Sequence, residues 1–320
     1  MTNALKRATK SPCRTMRILL LAVSGIVAMN VTCAADDPAI YQPAVQAGVS
    51  ELNLWIRMPN AEKVAFSGAV NYDKPAGNGA GMLYPAPNLI GMLAAVATHA
   101  ALATSANESK KQGLRTEADK VLVPYQSVLD DYKNQELFQL SIGKMATTGS
   151  KKIVSSNDQA NTGAVVVETT SMFSMTQDQK ALILDNVISI KKSNAATPYQ
   201  VAVHVVSSAK DSADLNNFWN ENKGYKLKEE SSLLFAHSLD IALADQLNIA
   251  KNANPFKTIR YVEGGAEKIE RGQPISDHCH QLLFRNLRGN LMLVPLKNEG
   301  APEETSTCMD THETAMQVSN

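Results

Sequence analysis

Between residues 163 and 208 the sequence alternates with a period of two. GAVVVETTSMFSM (163–175), KALILDNVISIKK (180–192) and PYQVAVHVVSS (198–208) are separated by the short polar turns TQDQ and SNAAT. Successive side chains of a strand point to opposite faces, so this pattern predicts three strands in succession and commits the chain to a sheet. A sheet needs a cover. The sequence offers one in a helix expected over 228–250, where Ala236, Leu239, Leu243, Leu247 and Ala250 form one stripe; a fainter helical stretch precedes it at 213–222.

Strand signals recur on both sides. ELNLWIRMP (51–59) sets Leu52, Leu54 and Ile56 against Asn53, Trp55 and Arg57, and Pro59-Asn60 turns the chain into EKVAFSGAVNY (62–72). Toward the other end, KTIRYVEGGAEKIERG reads as a hairpin about Gly264-Gly265, and SDHCHQLLFRNLRGNLMLVP (276–295) as a second hairpin that turns near Gly289-Asn290. Between the early strands and the alternating block lie the Ala-rich segment 89–106 and a helical stretch carrying Ala118, Leu122, Tyr125, Leu129 and Tyr132. Pro124 there imposes a kink or a new helix start.

A polar loop at 147–163 marks a boundary. Strands and helices come in blocks, so the expected class is α+β: a mainly antiparallel sheet with an N-terminal helical segment, a long amphipathic helix and C-terminal β-hairpins. The expected organisation is a signal peptide over 1–35, strands and helices over 36–146, an α+β domain over 147–296, and a polar, aperiodic tail over 297–320 that should be disordered.

The first 35 residues hold five basic side chains (Lys6, Arg7, Lys10, Arg14, Arg17) and no acidic one. An apolar stretch from Ile18 to Val31 follows, then the small residues Cys33, Ala34 and Ala35. This is the three-part layout of a secretory signal, with translation starting at Met1 or at Met16 and the mature chain at Ala35 or Asp36. The expected location is periplasmic. A lipid anchor at Cys33 is the alternative, though Asn30-Val31-Thr32 lacks the aliphatic and small residues that such a signal places before its cysteine.

Removing those 35 residues with their five basic groups takes the chain from 320 to 285 residues and its formal charge from zero to −5. A mildly acidic exported protein is a poor nucleic-acid binder. Of four cysteines only Cys279 and Cys308 remain, too few for a disulfide scaffold, so an apolar core must carry the fold. In an oxidising compartment these two are expected to pair. The bridge would close a loop with 28 residues between its ends and tie the tail to the last hairpin, stabilising by about 3 kcal/mol on a loop-entropy account.

Asp277, His278, Cys279 and His280 stand side by side. In a strand the two imidazoles would share a face and could ligate a metal, but a third ligand is needed, and the chain has no HExxH, CxxC or second His pair; His99, His204, His237 and His312 are isolated. No metal and no cofactor is therefore expected. GNGAG (77–81) lacks both the GK[ST] of a phosphate loop and the spacing of GxGxxG.

No catalytic residue can be assigned. There is no GxSxG elbow; His237 and Asp240, three apart on the long helix, fit an acid/base pair geometrically and a surface pair more cheaply. Arg285 and Arg288 in RNLRG could grip an anion, or simply be solvated. The 33 residues from Pro75 to Asn107 carry no charged side chain, and the helix expected at 88–107 is apolar nearly all round. It is expected as a buried helix, with membrane apposition or self-association as the other possibility.

These readings point away from an enzyme. The expected function is that of an exported envelope protein acting through protein contacts or at a membrane surface, its partner an unidentified envelope protein or a second copy. An exported hydrolase whose site assembles only in the fold is the alternative.

Overall fold

The structure is a computed structural model and describes residues 52–70, 106–158, 163–193, 195–247, 254–278 and 280–297. The signal segment, Cys33, the GNGAG loop, nearly all of the 88–107 helix, Cys279, Cys308 and the tail beyond Lys297 lie outside them.

The alternating block folds into a meander. Strands β4 (Val165–Met175), β5 (Leu182–Lys192) and β6 (Tyr199–Val206) pair antiparallel in succession. On β5 the even-numbered Leu182, Leu184, Ile188 and Ile190 enter the main core, while Ile183 faces a second, smaller one. Both faces of the meander are thus in use, which explains the near-continuous apolar character of these strands.

Around the meander the sheet is completed by β1 (Leu52–Arg57), β2 (Phe66–Gly68), β3 (Gly149–Val154), β7 (Lys257–Glu263), β8 (Ala266–His278), β9 (Gln281–Asn286) and β10 (Leu291–Pro295). The order is β3-β1-β4-β5-β6-β10-β9-β8-β7, with β2 alongside β4. The α+β class holds, but the sheet is mixed. The meander and the last four strands pair antiparallel, whereas β1 runs parallel to both β3 and β4, β2 runs parallel to β4, and β10 runs parallel to β6. Local turn signals foretell hairpins; they do not register parallel neighbours, which come from distant parts of the chain.

Two local expectations need correction. The polar loop at 147–163 contains β3, a strand whose GSKKIV sequence has little apolar alternation because it forms a sheet end and Ser150 and Lys152 are exposed. The DHCH segment is not a strand start. β8 runs through to His278, His280 sits in a turn with φ of 61°, and β9 begins at Gln281, so the chain makes a hairpin there as well as near Gly289.

The helices cover one face of the sheet. They are α1 (Ala106–Ala118), a 3-10 stretch (Asp119–Tyr125) that contains Pro124, α2 (Gln126–Asp131), α3 (Asn134–Ile142) and the long α4 (Leu215–Leu247). Ala118, Leu122, Tyr125, Leu129 and Tyr132 are all buried, as their spacing predicts. Helix α4 is broken at 221–224, where Asn222, Lys223 and Gly224 take positive φ. Gly224 is required: a Cβ there would sit 2.2 Å from a methyl of Val128. Beyond the break, residues from Glu230 to Leu243 are buried against the meander, and Leu247 is half-exposed.

The other end of the sheet curls. A bridge between Tyr261 and Leu296 brings β7 back toward the end of β10, and Gly265 N–H donates to Asp178 in the β4–β5 turn at 2.6 Å. The curl encloses Ile183, Val206, Ile259, Tyr261, Leu282, Phe284, Met292 and Val294 as the second core.

Candidate functional site

On the concave face, just beyond this second core, ionisable groups converge. Asp185 and His204 are directly opposite on β5 and β6, and the curl delivers Glu263 from the end of β7. His204 Nδ1 lies 2.6 Å from Asp185 Oδ1, and its Nε2 lies 3.7 Å from Glu263 Oε1, too far for a hydrogen bond. The Tyr261 hydroxyl donates to Glu263 Oε1 at 3.2 Å.

Burial by itself disfavours the imidazolium. The Asp185 carboxylate, with Glu263 behind it, outweighs that and pushes His204 up to about 10. Burial likewise raises Glu263, yet His204 holds it below the usual carboxylate range. Burial pushes Glu270 up, and the charges of Arg288 and His204 offset part of that. His204 is therefore cationic at neutral pH and has no lone pair to act as a general base. Among the described residues no serine, threonine or cysteine is hydrogen-bonded to its ring. The cluster can neutralise and orient charge.

A second group lies on the other side of β6. β10 covers only Val203 to Val205 of that strand, and the β9–β10 turn leaves the sheet beside Tyr199–Ala202. The result is an open hollow of about 550 Å3 lined by Tyr199–Ala202, Asp245 of α4, and Arg285, Arg288, Gly289 and Asn290 of the turn. Asp245 accepts from the Tyr199 hydroxyl and from Arg285 Nη2, the latter at 2.5 Å, and Arg285 Nη1 donates to Gly289 O at 2.9 Å. Burial and the Asp245 carboxylate hold the Tyr199 phenol well above its ordinary value. Arg288 is exposed, and its guanidinium makes no ion pair or hydrogen bond among the described residues.

His237 and Asp240 are both buried in α4 rather than on its surface. Asp240 is an anchor: its Oδ2 accepts from Ala146 N at 2.8 Å, and its Oδ1 from Thr147 N at 3.0 Å and Thr147 Oγ1 at 2.5 Å. Burial raises its carboxyl, and those three donors pull the other way. Burial lowers His237 to about 4, so the ring is neutral. Asp277 is exposed near the end of β8 and His280 exposed in the turn; no group of three or more His, Cys, Asp or Glu among the described residues is arranged to hold a metal.

Sequence reasoning leaves His204 isolated and does not single out Asp185 or Glu263. One signal is available. Counting outward from the SNAAT turn places Asp185 opposite His204 to within a residue, so the two ionisable residues that interrupt these apolar strands are cross-strand partners.

No protein-family model matches the chain, and no curated protein is significantly similar to it. A solved structure described as an uncharacterized protein aligns with 65% of this chain and 99% of its own, at 10% identity and a TM-score of 0.23.

Proposed function

We propose that the chain is an exported envelope protein without catalytic activity, working through contacts with other proteins or at the membrane surface. The observation that supports this most is where the ionisable groups are spent. His204 is taken by Asp185, Arg285 and Tyr199 by Asp245, and Asp240 by the backbone at 146–147, whereas the edge of β6 beside Arg288 has no strand partner among the described residues. Groups locked in pairs stabilise a scaffold, and bare edges invite partners. No helix among the described residues is long and apolar enough to cross a membrane.

One observation favours the hydrolase reading: three ionisable residues from three strands meet at His204. The deciding experiment expresses the full gene in a Gram-negative host. The envelope fraction should yield a mature chain starting near Ala35, cross-linked to a protein partner and inert toward ester, amide and glycoside substrates. Hydrolysis that disappears in His204→Ala would overturn the proposal, and a chain that begins at a lipid-modified Cys33 would move it from the periplasm to a membrane anchor.

A further inference from the structure

The stretch of the β6 edge that no described strand pairs with has hydrogen-bonding capacity of a defined kind. Ser207 N–H donates to Leu182 O, so the odd-numbered residues at this end of β6 bond toward β5. By the alternation of an antiparallel ladder, Gln200 and Ala202 then direct their N–H and C=O groups to the opposite edge. β10 begins pairing only at Val203, which leaves the outward groups of Gln200 without a ladder partner among the described residues. Gln200 is exposed.

The surroundings of this edge are cationic. Arg288 reaches the hollow from the turn; Glu270 is influenced by its charge but forms no ion pair with it. Lys191 and Lys192, where β5 runs past the start of β6, are exposed and have no ion-pair partner among the described residues. They lie about 10 Å, two strand spacings, from where a strand added to β6 would run. Asp245, the carboxylate that lines the hollow, is already neutralised by Arg285. Leu287, 62% exposed on the same turn, supplies an apolar contact beside Arg288.

We propose that the β6 edge at Tyr199–Ala202 binds an extended acidic peptide segment of a partner protein by strand addition, with Arg288 pairing with one of its carboxylates. Backbone bonds to Gln200 give the docking geometry, and the surrounding cations select for acidic side chains. This rests on the contact-making role proposed above and names the chemistry of the partner.

The probe is a fluorescein-labelled octapeptide of alternating Val and Glu, titrated against the full mature protein. Its comparators are the Val-Lys octapeptide and a Val-Glu octapeptide N-methylated at every residue, so that neither edge keeps its N–H donors. Expected are saturable binding of the Val-Glu peptide, slowed exchange of the Gln200 amide on binding, and at least tenfold weakening by Arg288→Glu, by N-methylation and by the exchange of Glu for Lys. Arg288 lies in an exposed turn, so that variant folds; Gln200→Pro, which deletes the outward N–H, should weaken binding as well.

Failure to bind, or equal binding of the N-methylated peptide, overturns the proposal. So does a Gln200 amide that is already protected in the free protein, whether that protection follows protein concentration, which marks a second copy, or vanishes on truncation after Lys297, which marks the chain's own tail. The broader reading fails separately. Envelope cross-linking from a photoreactive residue at Lys152 but never from one at Gln200 sinks the edge site and leaves a contact-making protein, whereas His204-dependent hydrolysis with intact peptide binding sinks the non-catalytic reading alone.

Discussion

Asp185 and His204 face each other across β5 and β6 with Oδ1 and Nδ1 2.6 Å apart, a partly buried ion pair at the lip of the second core. Because the folded-state value of His204 lies above its ordinary 6.5, the pair contributes its full stabilisation below pH 6.5 and loses it as pH rises through about 10. Urea denaturation from pH 6 to pH 10 should show stability falling along this limb, with a shallower fall in His204→Gln. A variant with the same slope as the parent would show that His204 is not charged in the folded protein. Removing the partner in Asp185→Ala strands the imidazolium and should cost about 3 kcal/mol at pH 7.

Asp240 holds the 146–147 segment through three accepted hydrogen bonds. In Asp240→Asn an amide N–H must face the Ala146 N–H or the Thr147 donors, leaving buried donors unsatisfied. The expected loss is about 1–3 kcal/mol in the denaturation free energy, with faster amide exchange at Ala146 and Thr147. The sign with pH opposes that of an ordinary paired carboxylate. Burial raises the folded-state value of Asp240, so its charged form costs stability, and the parent should gain relative to Asp240→Asn as pH falls toward 3.8.

Gly224 combines a φ of 76° with an approach to Val128 so close that a Cβ would clash with its methyls. Gly224→Ala should lower stability by about 1–3 kcal/mol, and Val128→Ala in the same chain should recover part of it by opening space while leaving the φ strain. Thermal midpoints of the two single variants and the double variant test this; strict additivity would mean that the methyl contact is not the cause.

For Cys279 and Cys308, expected to be bridged in the oxidised mature protein, alkylation before and after reduction followed by peptide mapping gives the answer. The expected result is protection before reduction and a stability loss of about 3 kcal/mol in Cys308→Ser. Two thiols that alkylate without reduction would refute the bridge.

What can be read in advance follows from the range of the interactions. The meander is legible because its turns are short and its alternation local, and Tyr125 and Tyr132 are legible as core because helical spacing marks a face. β3 is not, since its Lys151 and Lys152 sit on an end strand that needs no apolar alternation. Nor can Glu263 be connected with His204: 59 residues separate them, and only the curl of the sheet brings them together. Asp240 stands out in the sequence but reads as a surface residue, because a carboxylate three residues from a histidine on a helix gives no sign that its oxygens serve a distant loop.

The parallel pairing of β1 also dictates an order of assembly. Leu52 meets Gly149, and Leu54 meets Val165, so the first described strand waits for about a hundred residues of chain before it has a neighbour on either side. Contacts this far apart in sequence must meet a large loop-closure cost before they return any stabilisation, which slows folding. The β4–β5–β6 meander, closed by turns of a few residues, can form first and offer the edge of β4 on which β1 docks late. A lesion in β1 such as Ile56→Ala should then accelerate unfolding far more than it slows folding, whereas one in β5 such as Leu184→Ala should slow folding itself.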